Sequence, residues 1–213
     1  DWSSDVCSSD LDNFLFEKIN PDVAAIKQNC AIKDLKPVVG GIECLLESEG
    51  KPFRVLAKMV VGAEGDRSVV AKKLSDIRKE EAHYCAGLRA YYQGVTGFHE
   101  NNFIELHFLK ELLPGYLWIF PLPGGAANVG VGMLSSEVSA RKINLRKVML
   151  EAIANNPTIC HRFSHATLEG DIKGWGLPLG SKKRKISGNH FLLAGDAASM
   201  IDPFTGEGIG NAM

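Results

Sequence analysis

The most constraining feature of the sequence lies near its carboxyl-terminal end, where HFLLAGDA is followed by SMIDPFTGEGIGNAM. The apolar run predicts a buried strand, and it ends at Asp196. Glycines then alternate at Gly206, Gly208 and Gly210. Because open α/β sheets bind ligands at the carboxyl ends of their strands, the pattern favours an α/β fold with Asp196 facing a ligand.

The chemistry of these residues suits a hydroxyl-rich, partly anionic ligand. A carboxylate accepts two hydrogen bonds from the hydroxyls of a sugar or ribityl chain. Glycines let backbone amides approach closely, and a helix beginning there favours negative charge by about 0.3–1 kcal/mol. Glu207 would partly cancel that preference unless it turns outward or caps the helix. The glycine spacing alone leaves a structural turn and a binding loop equally open, because Asn211 departs from G-x-G-x-x-G.

Composition excludes several classes of protein. Apolar residues make up 45% and charged residues 23%, which is typical of globular domains. The net charge of -1 argues against nucleic acid as a partner. Five cysteines without a C-x-x-C motif favour a reducing compartment, hence a cytoplasmic protein, and no apolar run approaches the ~20 residues of a membrane helix. No metal site is predicted, since His161 and His165 lack a third ligand.

The first segment, residues 1–11, is polar and resembles a translated sequencing adapter, so we predict it to be non-native; a native flexible terminus is the alternative. A helix is predicted over 12–28, in which Pro21 either interrupts the helix or starts a second piece. In FIELHFL, the alternation predicts Leu106 on an apolar face and His107 in solvent. The run KKRK at 182–185 is interpreted as a solvated connector, with attraction of a phosphate as the alternative.

Three motifs carry a resemblance to a known family. The stretch GDAA at 195–198, with D-P-x-T-G-E-G-I at 202–209, resembles the second FAD motif of flavoproteins built like p-hydroxybenzoate hydroxylase. PFTGEGIGNAM is most similar to their geranylgeranyl reductase branch. VVGAEGDRSVV resembles the middle motif, with Glu64 in place of its usual Asp, and PGYLWIFPLPGGAANVGVGM resembles the family's aromatic hairpin.

The resemblance implies FAD as the cofactor, with Asp196 on the ribityl hydroxyls and the glycine turn beside the flavin pyrimidine edge. The implied cofactor-binding residues are Glu64, Gly65, Gly195, Asp196, Pro203, Gly206, Glu207, Gly208, Ile209 and Gly210. Tyr116, Trp118 and Phe120 share one face of a strand and are expected to form a substrate wall. Packing of that face in a sheet core is the alternative.

The implied fold is an α/β (α+β) mixture: a partial FAD-binding Rossmann-like domain plus an antiparallel-sheet substrate domain. We expect the FAD-binding domain at 12–80 and 181–213, and the substrate domain at 81–180. Family members open with a βαβ unit carrying G-x-G-x-x-G and continue beyond the glycine turn, so a fragment truncated at both ends is expected.

The implied activity is FAD-dependent, NAD(P)H-linked reduction of isoprenoid C=C bonds. An aromatic monooxygenase or halogenase on the same scaffold is one alternative, and a fragment unable to hold FAD is another. The expected partner is a small-molecule or prenyl-lipid substrate, with peripheral membrane contact left open. No catalytic residue can be named, and the substrate, the electron donor and the oligomeric state stay open.

Overall fold

The computed structural model describes the backbone of residues 8–213 and the side chains of residues 12–213. The prediction that 1–11 is non-native therefore concerns a segment that lies largely outside the described residues. Two compact units form: the antiparallel unit, Cys85–Gly176 with the residues up to Asn20, and the α/β unit, Pro21–Tyr84 with Leu177–Met213. The contacts thus divide the chain near 84 and 176, where the sequence predicted 80 and 180, and they assign 12–20 to the antiparallel unit.

The helices are α1 (Ser8–Glu17), α2 (Val69–Leu74), α3 (Ser135–Arg141), α4 (Leu145–Asn155) and α5 (Ile209–Ala212). The strands are β1 (Cys30–Val38), β2 (Gly41–Ser48), β3 (Lys51–Ala57), β4 (Val60–Gly62), β5 (Tyr84–Gln93), β6 (Glu105–His107), β7 (Gly115–Leu122), β8 (Ala126–Leu134), β9 (Thr167–Pro178), β10 (Ser187–Gly188) and β11 (Phe191–Leu193). The predicted mixture of helices, parallel strands and antiparallel strands is confirmed. No helix in the described part of the chain is long and apolar enough to cross a bilayer.

The antiparallel unit is built on a five-stranded sheet in the order β6-β7-β8-β5-β9. The predicted aromatic hairpin is confirmed as β7 and β8, joined by a turn at Pro123–Gly125. Alternation along β7 sends Leu117 and Ile119 into the core, where both are fully buried. Met149 of α4 belongs to the same core, so the helix covers this face of the sheet.

The strand β6 orients opposite to our prediction. Leu106 is exposed, and so are its apolar neighbours Ile104 and Phe108, whereas Glu105 and His107 are partly buried. The reason is Arg162, whose buried guanidinium binds both carboxylate oxygens of Glu105. A desolvated guanidinium needs a carboxylate partner, and this requirement outweighs the apolar pattern.

The helix predicted over 12–28 is also corrected, because α1 ends at Glu17. Lys18 N and Ile19 N donate to carbonyls only three residues earlier, so the last turn tightens before Pro21. Proline cannot donate an amide hydrogen bond, and the segment continues as turns and irregular backbone.

The α/β unit contains two small sheets. Strands β1, β2 and β3 form an antiparallel meander, and β10-β11-β4 form a second sheet in which β11 runs parallel to β4. The predicted helix at SVVAKKL is confirmed as α2, and its Val70 packs against the parallel pair in a shared core. This packing needs Gly62, because a Cβ there would lie 2.7 Å from the Val70 Cβ.

Replacing Gly62 with alanine should therefore push α2 away from the sheet. We expect Gly62→Ala to lower the free energy of unfolding by about 1–3 kcal/mol, as in other overpacked cores. Val61→Ala is the matched control, since Val61 lies on the same strand but is exposed, and it should change stability by no more than about 0.5 kcal/mol. Urea unfolding of the purified variants measures both values, and equal losses would contradict the packing argument.

Candidate functional site

The segment 202–210, called the glycine turn below, is folded by one carboxylate. Asp202 Oδ1 accepts hydrogen bonds from Phe204 N (3.0 Å), Thr205 N (2.7 Å) and Thr205 Oγ1 (2.9 Å). Its backbone closes the turn, because Asp202 N donates to Glu207 O (2.8 Å) and Asp202 O accepts from Gly206 N (2.9 Å). These bonds hold the pKa of Asp202 below its usual range. Asp202 was not among the predicted site residues, although Asp is a common turn residue whose side chain can accept from the backbone two residues further on.

The glycine turn lies directly against Asp196. Gly195–Ala198 form a 3-10 turn after β11, and a Cβ built on Gly208 would lie 3.5 Å from Asp196 Oδ1. A Cβ on Gly195 would lie 3.2 Å from the Ala212 Cβ, so α5 passes close over this turn. Asp196 and the glycine turn are therefore neighbours in space, so one ligand could contact both of them.

Glu207 takes the second of its two predicted orientations. Its Oε1 accepts a hydrogen bond from Gly210 N at 2.7 Å and so caps α5. Among the described residues, Gly208 N and Ile209 N have no hydrogen-bond acceptor. The carboxylate thus satisfies one amide of the turn and leaves two donors beside Asp196. Pro203 is exposed at the outer side of the turn.

The middle motif is placed next to the same turns. Gly65 begins a 3-10 turn, with φ of +78°, that packs against the turn at Gly195–Ala198. Glu64 Oε1 accepts a hydrogen bond from Val70 N (2.9 Å), and Ser68 Oγ accepts one from Ala71 N (2.9 Å), so both cap α2. A carboxylate already at this helix start disfavours a phosphate there, and a role for Glu64 in cofactor binding stays a prediction.

The charge of Asp196 is poorly solvated. Burial raises its pKa above the usual range, and the nearby negative charge of Asp66 raises it further. Asp66 in turn accepts a 2.5 Å hydrogen bond from the Tyr84 hydroxyl, which with burial raises the pKa of Tyr84. Sequence reasoning missed the pairing of Tyr84 with Asp66, because Asp66 lies in the middle motif whereas Tyr84 lies 18 residues further along the chain and outside every motif.

The aromatic face, formed by Tyr116, Trp118 and Phe120, lies on the side of β7 away from the core. Their rings follow one another at 6.2 Å and 6.1 Å between centroids. Trp118 lies over Gly130, where a Cβ would come 2.2 Å from its ring, and its Nε1 donates to Asn128 Oδ1 at 3.1 Å. These rings are only partly buried, so core packing does not account for them.

The described residues contain no group of three His, Cys, Asp or Glu side chains placed to hold a metal ion. The chemistry of the α/β unit is instead that of an acceptor carboxylate beside glycine amides, which suits hydroxyls and a delocalised negative charge. The antiparallel unit offers a flat aromatic surface, which suits an apolar or planar ligand.

Comparison of the fold defines a class of protein. A geranylgeranyl bacteriochlorophyll reductase-like protein from Thermoplasma acidophilum superposes with a TM-score of 0.74 at 24% identity, over 86% of this chain and 45% of that one. The flavin-dependent halogenase CmlS gives a TM-score of 0.74 at 15% identity, over 95% and 37%. The fold is therefore the one shared by flavin-dependent reductases and halogenases.

Sequence comparison identifies the branch. Residues 84–165 match the family model of the geranylgeranyl reductase catalytic domain. The digeranylgeranylglycerophospholipid reductase of Methanosarcina mazei is 33% identical over 168 residues, which is 77% of this chain and 39% of that protein. The menaquinone reductase of Mycobacterium tuberculosis is 30% identical over 167 residues, 71% and 37% respectively. The chain belongs to the geranylgeranyl reductase family, and it spans half or less of the length of these curated relatives.

The two carboxylates of the site should respond oppositely to neutralisation. Because the pKa of Asp196 is raised, its charge destabilises the folded chain as pH rises above the unfolded value of 3.8. Asp196→Asn should therefore raise the urea midpoint at pH 7, and the gain should shrink as pH falls to 3.8.

Asp202→Asn is the matched comparison of opposite sign. The pKa of Asp202 is lowered, so its charge contributes stability that is present above the unfolded value of 3.8 and is lost as pH falls through the folded pKa. This variant should lower the urea midpoint at pH 7. If both variants shifted the urea midpoint in the same direction, the opposite pKa shifts of Asp196 and Asp202 would be contradicted.

Proposed function

We propose that this chain is part of an FAD-dependent oxidoreductase that reduces isoprenoid C=C bonds with NAD(P)H as the electron donor. The single observation that carries the proposal is the placement of Asp196 beside Gly208, in a turn with two uncommitted amides. That arrangement in the α/β unit fits FAD, which has a ribityl chain of hydroxyls and a ring that gains negative charge on reduction.

Asp196 would accept hydrogen bonds from the ribityl hydroxyls. This contact would compensate the desolvation that raises the pKa of this half-buried carboxylate. Gly208 N and Ile209 N would donate to the pyrimidine edge, where negative charge develops. Asp202 would keep those amides in position by folding the turn around its own carboxylate. When bound, FAD supplies a hydride route from NAD(P)H to one carbon of the C=C bond, with a proton added to the other.

The aromatic face would hold the isoprenoid. A prenyl chain is apolar and branched, and three half-buried rings on one strand face provide a largely apolar contact surface. Trp118 would be the central contact, because Gly130 and Asn128 fix its ring in place. The printed name of the methanogen relatives, digeranylgeranylglycerophospholipid reductase, denotes a substrate with chains of this class.

An oxygen-using monooxygenase or halogenase is the second candidate. Its support is the likeness to the flavin-dependent halogenase, which at 15% identity concerns the fold alone. The curated relatives at 30% identity or above are named reductases, and they favour the reductase. A lipid substrate would also favour contact with a membrane surface, as part of the same proposal.

Flavin binding is the first test of the proposal. The purified chain should bind FAD with the yellow absorbance of a protein-bound flavin, and Asp196→Ala should weaken binding about tenfold or more through loss of charged hydrogen bonds. Asp171→Ala, at an exposed residue of the other unit, is the control and should leave binding unchanged. A colourless chain that does not bind added FAD would contradict the proposal and favour the inactive fragment.

Prenyl binding tests the aromatic face separately. Geranylgeraniol presented in detergent micelles should bind the chain, and Trp118→Ala should weaken it roughly tenfold because a large apolar contact is lost. Trp175→Ala removes an exposed tryptophan of the same unit and should have little effect. Calorimetric titration measures both affinities. An equal loss of affinity in Trp118→Ala and Trp175→Ala would show that the aromatic face is not the binding surface. In the full-length enzyme, NAD(P)H-dependent saturation of the prenyl chain, rather than hydroxylation or peroxide release, separates the reductase from the oxygen-using candidate.

A further inference from the structure

Arg184 is the exception in the predicted solvated connector at 182–185, whose three lysines are exposed. Its side chain is only 8% exposed. One terminal nitrogen, Nη1, donates to Glu80 Oε1 at 3.1 Å and to Arg78 O at 3.4 Å. The Nε atom is buried and has no acceptor among the described residues, and Nη2 makes no hydrogen bond there either. The buried Nε is therefore left without a partner, which is rare in folded proteins, and the adjacent Nη2 has no acceptor among the described residues.

Glu80 does not balance the charge around Arg184. Lys182 Nζ also binds this carboxylate, at 2.9 Å from both oxygens. Two cations thus share one anion, and a net positive charge remains at a site where the Arg184 side chain is largely shielded from water. Such a site favours a further anion, because a desolvated charge is stabilised by a hydrogen-bonded counter-charge.

Arg184 lines a cleft of about 380 Å³ that lies entirely within the α/β unit. Basic side chains outnumber acidic ones in its walls by five to three, with histidine taken as neutral. The basic residues are Arg67, Lys72, Arg78, Lys79 and Arg184, and the acidic ones are Asp66, Glu80 and Asp196. The volume is in the range of small-ligand sites, so the cleft has room for a phosphorylated group rather than a single ion.

Lys79 supplies a second uncommitted cation in this cleft. Its Nζ stands 4.0 Å from the centre of the Tyr84 ring, and it forms no ion pair among the described residues. The ring holds the ammonium group at the cleft wall by a cation–π contact, which leaves its hydrogen-bond donors available.

We propose that this cleft, called the cationic cleft, binds a phosphoryl group, with Arg184 as its bidentate ligand and Lys79 as a second cation. The free Nε–Nη2 edge of Arg184 matches two phosphate oxygens side by side, and a lysine adds a point charge. The inference rests on the cleft alone and does not require that FAD binds. Phosphoryl groups of a nicotinamide nucleotide, of FAD and of a phospholipid headgroup share this chemistry.

Pyrophosphate binding to the purified chain, followed by calorimetry at low salt, tests the site. Arg184→Gln should weaken binding about tenfold, and Lys79→Gln about threefold, because each removes a charged contact. Lys183→Gln is the matched control: it removes the same charge from the same connector, but Lys183 is exposed and does not line the cleft, so it should change affinity less than about twofold.

Folding of the variants is checked by urea unfolding, and Lys79→Gln decides the question if Arg184→Gln does not fold. Absence of saturable pyrophosphate binding, or an equal loss in Lys79→Gln and Lys183→Gln, would overturn the proposal. Displacement of pyrophosphate by NADPH, by FAD or by phosphatidylglycerol vesicles would support it and identify the source of the phosphoryl group. Binding that none of these displaces would indicate an adventitious ion only and would refute the site. Loss of FAD binding with retained pyrophosphate binding would refute the proposed function and leave this one standing.

Discussion

The α/β unit depends on a carboxylate that is only partly solvated. Asp196 stands at the end of a buried strand, and both burial and the charge of Asp66 oppose its ionisation. The surrounding residues do not neutralise it with a cation. Instead, Gly208 lies against its oxygen, and the amides of Gly208 and Ile209 have no acceptor among the described residues. A carboxylate in this environment lowers the stability of the folded chain, and it can form favourable hydrogen bonds with a ligand that carries hydroxyl donors.

In the antiparallel unit, the two faces of one sheet have different roles. Its inner face is closed by apolar side chains such as Leu117 and Ile119, which need no ligand for their burial. Its outer face carries aromatic rings over glycine, where Gly130 allows Trp118 to lie flat against the backbone. Successive side chains of a strand point to opposite faces of the sheet, so β7 contributes both to the packed inner face and to the outer aromatic face.

Local patterns in the sequence predicted a large part of this arrangement. The hairpin at β7 and β8, the helix α2 and the turn at Gly206–Gly210 each carry short-range signals, and the capping of α5 by Glu207 was one of two predicted orientations. The errors have long-range causes. Leu106 is exposed because Glu105, its neighbour on the strand, turns inward to bind Arg162 of a distant segment. Arg184 is largely buried because it binds Glu80, which is also distant in the sequence. Buried charge pairs between remote segments leave no periodic trace in a sequence, so pattern reasoning could not find them.

The central claim is that Asp196 and the glycine turn contact the same molecule. An FAD titration of the ¹⁵N- and ¹³C-labelled chain, followed by NMR, tests this claim most directly. The Asp196 carboxyl and the amides of Gly208 and Ile209 should shift together and give one dissociation constant. Shifts confined to one of the two groups, or two unrelated dissociation constants, would contradict the account.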